Sequence, residues 1–260
     1  MTDKFILLEI EEQVAYITLN RPEKYNSFNR TMSLQMHDAL DQCMRDVSVR
    51  AVYITGAGKA FCAGQDLQEA IDPDGPELRS IVRGHYNPII ERIRNLEKPV
   101  ICAVNGVAAG AGANIALACD IVVAHENASF IQAFSKIGLV PDSGGTYFLP
   151  RLIGMQKASA LMMLGDKVDA KEAERMGMIY QFFNEDSFEE ESKNIARKLS
   201  QMPTKALAYT KLALNQTYNN SLERQLTLEE EYQAECGKTD DFNEGLAAFI
   251  EKRAPKFEGK

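Results

Sequence analysis

The sequence predicts an α/β fold of largely parallel strands that ends in a purely helical tail. Two observations predict it. Short apolar runs of strand length alternate with helical patterns as far as about residue 200, and after Pro203 only helical periodicity remains. A third observation bears on function: two of the strands run into loops made almost wholly of glycine and alanine.

The elements follow in order. FILLEIEEQVAYITLNRP (5–22) reads as two short strands around a polar turn, closed by Pro22. Residues 30–46 place Met32, Met36, Ala39, Leu40 and Cys43 on one helical face. AVYITG (51–56) reads as a buried strand, and the loop GAGKAFCAGQDL (56–67) follows it. A helix is expected over 77–96, a strand over 99–106, a helix from Gly110 to Ala118, and a further strand at DIVVAHE. Alternation of this kind implies right-handed crossovers between parallel strands. The tail reads as helices over 203–218, 221–236 and 240–252. Its stripe of Leu246, Phe249 and Ile250 needs cover, from the chain's own core or from a partner subunit.

Composition removes several classes of function. The 260 residues carry a formal charge of −8, which disfavours a general nucleic-acid or anionic-membrane surface. No stretch of 18 apolar residues is present, and the opening MTDKFILLEIEEQ is too acidic and too briefly apolar for a signal peptide. The five cysteines are odd in number and scattered, as expected of reduced thiols in a cytoplasmic protein. No Cys-x-x-Cys or His-x-x-x-His pair suggests a metal, and Gly110-Ala-Gly112 lacks the third glycine of a dinucleotide fingerprint.

GLVPDSGGTYF (138–148) offers two chemistries. Ser143 in Asp-Ser-Gly-Gly resembles a protease nucleophile, but His37, His85 and His125 lie in no protease context and no Gly-x-Ser-x-Gly elbow exists. Ser143 therefore reads as a turn residue. Asp142, among apolar neighbours, reads either as a partly desolvated proton shuttle or as the N-cap of a helix starting near Ser143. The loops FCAGQDL (61–67) and NGVAAGAGANIALACD (105–120) are open in the same way. Their small residues could free backbone N–H groups for an oxyanion, or could simply let a helix pack tightly on a sheet.

AFCAGQDL, KPVICAVNGVAAGAGANIALACDIVVA and FSKIGLVPDSGGTYFLPRLIG, with RPEKYNS near the start and EGLAAFIEKRAPKF near the end, resemble the enoyl-CoA hydratase/isomerase (crotonase) superfamily. The resemblance covers essentially the whole chain. It implies a crotonase-like ββα spiral over residues 1–200 that binds acyl-CoA, and a C-terminal helical segment over 201–260 that builds a homotrimer or a homohexamer. It also implies that the N–H groups of Gln65 and Ala111 form an oxyanion hole, with Asp142 as acid/base. Ala63, Asp66, Leu67, Gly110, Asn114 and Phe134 are implied to line the substrate. Lys24, with Arg21 and Lys252, would meet the CoA phosphates, Lys252 from its own or a neighbouring subunit.

Family hydratases carry two glutamates at the positions of Asn114 and Phe134, so the resemblance implies an isomerase rather than a hydratase. The expected substrate is an aryl ring epoxide on an acetyl-CoA arm, with an aliphatic Δ3,Δ2-enoyl-CoA as the alternative. A dehalogenase fits less well, since Phe134 stands where such enzymes carry tryptophan. A non-catalytic acyl-CoA-binding scaffold is the rival from another class. CoA enters as part of the substrate, and no separate cofactor or metal is implied.

Overall fold

The structure is a computed structural model, and it describes residues 4–73 and 75–260. It begins with β1 (Ile6–Glu11) and β2 (Val14–Leu19), paired antiparallel. Glu12 and Gln13 join them, both at positive φ (47° and 66°), the backbone of a two-residue type I′ hairpin. Next is α1 (Arg30–Arg45), capped by the Asn29 side chain, which accepts from the Met32 N–H at 2.9 Å.

The chain then runs through β3 (Ala51–Gly56), β4 (Ala60–Cys62), α2 (Leu67–Ala70), α3 (Leu78–Ile81), a π turn (Val82–Tyr86) and α4 (Asn87–Asn95). It continues with β5 (Val100–Val104), β6 (Val107–Ala109), α5 (Ala111–Leu117), β7 (Ile121–His125) and β8 (Ser129–Ile131). After a 3-10 turn over Ala133–Ile137 come α6 (Gly145–Ile153), α7 (Met155–Leu164), β9 (Lys167–Asp169), α8 (Ala170–Arg175), β10 (Gln181–Phe183) and α9 (Phe188–Ser200). The tail is α10 (Thr204–Gln216), α11 (Leu222–Cys236) and α12 (Asp240–Glu251).

These strands form two sheets. One has the order β1-β2-β3-β5-β7-β10 and is parallel beyond the hairpin; the other has the order β4-β6-β8-β9. Three successive passes, β3 to β4, β5 to β6 and β7 to β8, each lay one strand in either sheet, which generates the spiral. The strand expected over 99–106 is divided by this geometry. β5 ends at Val104, Asn105 and Gly106 turn the chain, and β6 joins the second sheet. Gly106 is required there, because a Cβ would lie 2.2 Å from the Lys59 carbonyl oxygen.

Period-2 alternation buries both faces of the larger sheet. Val52 and Ile54 of β3 face the main core with Met36, Leu40, Ile89 and Ile93. Ala51 and Tyr53 face a second cluster with Val123, Phe188 and Ala196, so α9 covers that side. The tail is joined to this body by polar pins. Arg50, buried, donates to the carbonyls of Met202 (2.6 Å) and Phe257 (2.8 Å) and to Thr204 Oγ1 (2.9 Å). Lys211 Nζ sits 2.8 Å from Asp120 Oδ2 and donates to the Ile93 carbonyl at 2.7 Å. Among the described residues, no helix is long and apolar enough to cross a membrane.

Candidate active site

β4 and β6 lie side by side, so the loops that leave them meet. Gly64 (φ +93°) and Gly110 (φ +52°) make the two turns, a backbone region that glycine enters at little cost. A Cβ on Gly64 would sit 2.9 Å from the Ala109 carbonyl oxygen and 3.5 Å from the Ala111 nitrogen. The Phe28 N–H donates to the Gly64 carbonyl (2.7 Å), and the Asp66 N–H donates to the Phe28 carbonyl (2.8 Å). The Gln65 N–H between them has no acceptor among the described residues. Ala111 opens α5, so its N–H also lacks an intrahelical acceptor. Two adjacent free donors can hold an oxygen that gains negative charge.

The packing reading of the small residues holds at the next position. A Cβ on Gly112 would lie 2.4 Å from the Cys62 carbonyl oxygen, so this glycine lets α5 rest directly on β4. Gly110 shapes the turn and Gly112 allows the contact.

Asp142 does not cap α6. That helix begins at Gly145 with Gly144 in the capping place, while Ser143 (φ +51°) and Gly144 (φ +74°) make a left-handed turn before it. The half-buried Asp142 carboxylate accepts a 2.8 Å hydrogen bond from Ser143 Oγ. Burial pushes its pKa up, and the Ser143 hydroxyl partly opposes the rise. Among the described residues no histidine bonds Ser143, so the serine has no base and serves the turn and the carboxylate.

Asn114, expected against substrate, is fully buried instead. Its Nδ2 donates to the Asp142 carbonyl (2.9 Å), and its Oδ1 accepts from Gln132 Nε2 (2.8 Å). α5 thus carries the Ala111 donor at its first residue and, one turn later, the amide that holds the Asp142 loop. Phe134 lies over Gly110, its ring 3.7 Å from where a Cβ would be.

The remaining expected residues divide. Ala63 and Leu67 are exposed beside Gln65. Asp66 pairs with Arg21 at 3.0 Å and caps α2 through the Gln68 N–H, so its carboxylate is occupied by protein. Arg21 is corrected by the same contact: it is buried under the Phe5 ring and bonds the Ser27 carbonyl, which removes it from phosphate binding. Lys24 is exposed and reaches Gln68 Oε1 at 2.9 Å, beside α2. Lys252 is exposed at the left-handed C-cap of α12, and its side chain has no hydrogen bond or ion pair among the described residues. A cavity of about 620 Å³ lies elsewhere, between α10, α11 and α12, lined by Tyr209, Tyr232, Phe242 and Leu246 among others.

Sequence reasoning passed over Tyr86. Its hydroxyl donates to Gln65 Oε1 at 2.7 Å, and burial pushes its pKa well up. The one available signal was an aromatic hydroxyl on an inward helical face, which reads equally well as core.

The two-sheet spiral with donors after β4 and β6 is the fold of the crotonase class. Within that class the chain belongs to the enoyl-CoA hydratase/isomerase family, whose model matches residues 9–260. It is 47% identical over 260 residues to 1,2-epoxyphenylacetyl-CoA isomerase of Escherichia coli, covering 99% of both chains. It is 36% identical to trans-2-decenoyl-[acyl-carrier-protein] isomerase of Streptococcus mutans, over all of both. A solved enoyl-CoA hydratase from Bacillus anthracis superposes with a TM-score of 0.92 at 33% identity, covering 98% of this chain and 100% of that one.

Proposed function

We propose that this chain is an acyl-CoA isomerase that converts 2-(1,2-epoxy-1,2-dihydrophenyl)acetyl-CoA to its seven-membered oxepin isomer. The observation that carries the reading is an acid at Asp142 with no carboxylate at either hydratase position. Asp142 is half-buried and its loop is tied to α5, the helix that Ala111 begins, through Asn114, while Asn114 and Phe134 supply no carboxylate to activate water. The 47% identity to a 1,2-epoxyphenylacetyl-CoA isomerase supports the choice of substrate.

In the proposed reaction the Asp142 carboxylate removes a proton from C2, next to the thioester. The C–H electron pair moves into the carbonyl, and the enolate oxygen is held by the Gln65 and Ala111 N–H groups. Each such donor is worth about 2.7–4 kcal/mol of barrier lowering. The enolate pair forms a C=C bond to the epoxide carbon that bears the side chain. The C–C bond between the two epoxide carbons breaks with its pair left on the ring carbons, and the oxygen keeps both C–O bonds. The six-membered ring thus becomes the seven-membered oxepin. Asp142 returns the proton to the rearranged product, so no atom is gained or lost. CoA acts as a handle whose binding energy positions C2, with Lys24 and Lys252 at its phosphates.

The same parts suit a Δ3→Δ2 shift in aliphatic enoyl-CoA, which the 36% identity to a decenoyl-thioester isomerase favours as a second activity. We assign residues 201–260 to oligomerisation, as a homotrimer or a dimer of trimers in the cytoplasm. Exposed Leu246, Phe249 and Ile250 support that assignment.

The test generates the ring epoxide in situ and follows its loss by mass and ultraviolet spectra, with crotonyl-CoA and a 3-enoyl-CoA in parallel. Loss of the epoxide with trace crotonyl-CoA hydration is expected. An untouched epoxide with rapid double-bond shifting replaces this reading by the aliphatic one. Efficient hydration overturns the roles given to Asn114 and Phe134, and binding with no turnover of any ester leaves a scaffold.

A further inference from the structure

The two oxyanion donors are not held alike. The Ala111 N–H is fixed by the helix it begins. The Gln65 N–H lies outside any helix. The Phe28 N–H anchors the Gly64 carbonyl of its peptide unit, Gly64 itself has the most permissive backbone available, and the Gln65 side chain is the remaining restraint on its aim. The Gln65 side chain is restrained at both ends. Its Oε1 accepts from the Tyr86 hydroxyl at 2.7 Å. Its Nε2 donates to Glu69 Oε2 at 2.9 Å, and Glu69 Oε1 in turn accepts the Arg30 N–H at the start of α1.

Tyr86 is itself tightly placed. It ends the π turn, a geometry that recurs at functional sites, and it is 1% exposed. The carbonyl of its neighbour His85 accepts from His37 Nε2 at 2.8 Å, which ties the turn to α1. Its ring meets the Phe28 ring edge-on at 6.1 Å, and Phe28 is the residue whose backbone brackets Gln65. Ring and hydroxyl therefore register on the same loop from two directions. A phenylalanine would satisfy the packing, and the hydroxyl has Gln65 as its hydrogen-bond acceptor.

We propose that Tyr86 is a positioning residue of the oxyanion hole: its hydroxyl, by holding the Gln65 side chain, aims the Gln65 N–H at the developing enolate oxygen. This rests on the reading of Gln65 as a donor. Removing an oxyanion donor outright costs about 10²–10³ in turnover. A donor that is present but misaimed should cost less, about tenfold.

The experiment compares the parent with Tyr86→Phe, Gln65→Leu, the double variant and Asp142→Asn. Two assays are read: turnover of the ring epoxide, and exchange of the C2 protons of phenylacetyl-CoA in D2O, which reports enolate formation without ring chemistry. Tyr86→Phe is expected to lower kcat and exchange about tenfold while KM stays within about twofold, the signature of an interaction made in the transition state. Gln65→Leu should match it, and the double variant should be no worse than the worse single, since both cut one link. A purely structural role would move thermal stability and leave kcat per folded molecule unchanged. Parental kcat in Tyr86→Phe, or losses that multiply in the double variant, overturn the proposal. If Asp142→Asn abolishes exchange while Tyr86→Phe leaves it intact, the functional reading stands and this inference falls. If the parent neither exchanges nor turns over, both fall.

Discussion

The body of the chain and its helical tail solve burial differently. In the body, neighbouring residues of β3 point to opposite faces and both are covered by the same chain: Val52 and Ile54 on one side, Ala51 and Tyr53 on the other. In the tail, Phe249 is 82% and Ile250 70% exposed, and α10 joins the body through buried charges such as Lys211 and Arg50. A charged joint fixes geometry, but it adds little cohesion once desolvation is counted. The site loops therefore need nothing outside the body to hold their shape, whereas the tail is short of apolar partners. Chemistry and cohesion should separate under mutation.

The largest expected effect is on chemistry alone. Asp142→Asn should lower turnover by about 10²–10⁴ while leaving assembly unchanged. It should also raise the melting temperature slightly at neutral pH. Burial raises the folded-state pKa of Asp142, so the folded protein binds this proton more tightly than the unfolded chain does. The stability contribution of such a group falls as pH rises through the window between its ordinary and its raised value, and asparagine removes that loss. Activity has the opposite slope, because the base must be ionised, and should fall as pH drops through the raised pKa. Rate–pH profiles and thermal melts of both proteins check this. A variant that keeps turnover, or melts lower with reduced assembly, breaks the separation.

Lys211→Met should act on cohesion. Burial lowers the Lys211 pKa, and Asp120 opposes that shift. Removing one member of a buried pair typically costs 3–5 kcal/mol, roughly 3 here, since Asp120 keeps Arg94 and the Val100 N–H as partners. The unfolding free energy from denaturant titration should fall by that amount, with the midpoint lowered accordingly and kcat per folded enzyme near parental. An unchanged midpoint would mean the tail is held by its apolar contacts after all.

Phe249→Asp probes the uncovered face. Burying one such side chain is worth about 1.5–3 kcal/mol, so sedimentation should shift from an oligomer toward smaller species, while Asp142→Asn sediments like the parent. A parental chain that already sediments as a monomer would make the exposed stripe ordinary surface.

How much of this was legible in sequence follows the range of the interactions. The elements came from local periodicity, and the helices over 204–216, 222–236 and 240–251 lie within two residues of expectation. The small-residue loops 61–67 and 105–120 stood out because side chains are nearly absent there, and Asp142 because a carboxylate among apolar residues is unusual. Arg21 was misread because a free arginine and one paired with Asp66, 45 residues away, look identical in a string. Asn114 was misplaced for a related reason: its amide serves the Asp142 carbonyl, and the distance from α5 to that loop is set by packing. Tyr86 was missed because its role depends on a π turn, which has no compositional signature, and on a partner 21 residues earlier.

The smallest expected effect sharpens the comparison inside the site itself. Ser143 holds a left-handed φ of +51°, is 1% exposed and gives its hydroxyl to Asp142 Oδ1. A donor to the charged form lowers an acid's pKa, so Ser143→Ala should let the Asp142 pKa rise further. The acid limb of the rate–pH profile should therefore move to higher pH, with the plateau rate close to parental because no bond is made to Ser143. The turn should survive, since serine and alanine meet similar strain at positive φ. Ser143→Thr keeps the donor and should keep the parental limb if the added methyl is accommodated. A Ser143→Ala enzyme that is inactive at every pH would reassign the chemistry to the serine. An unmoved limb with full activity would place the Asp142 carboxylate under the control of burial alone.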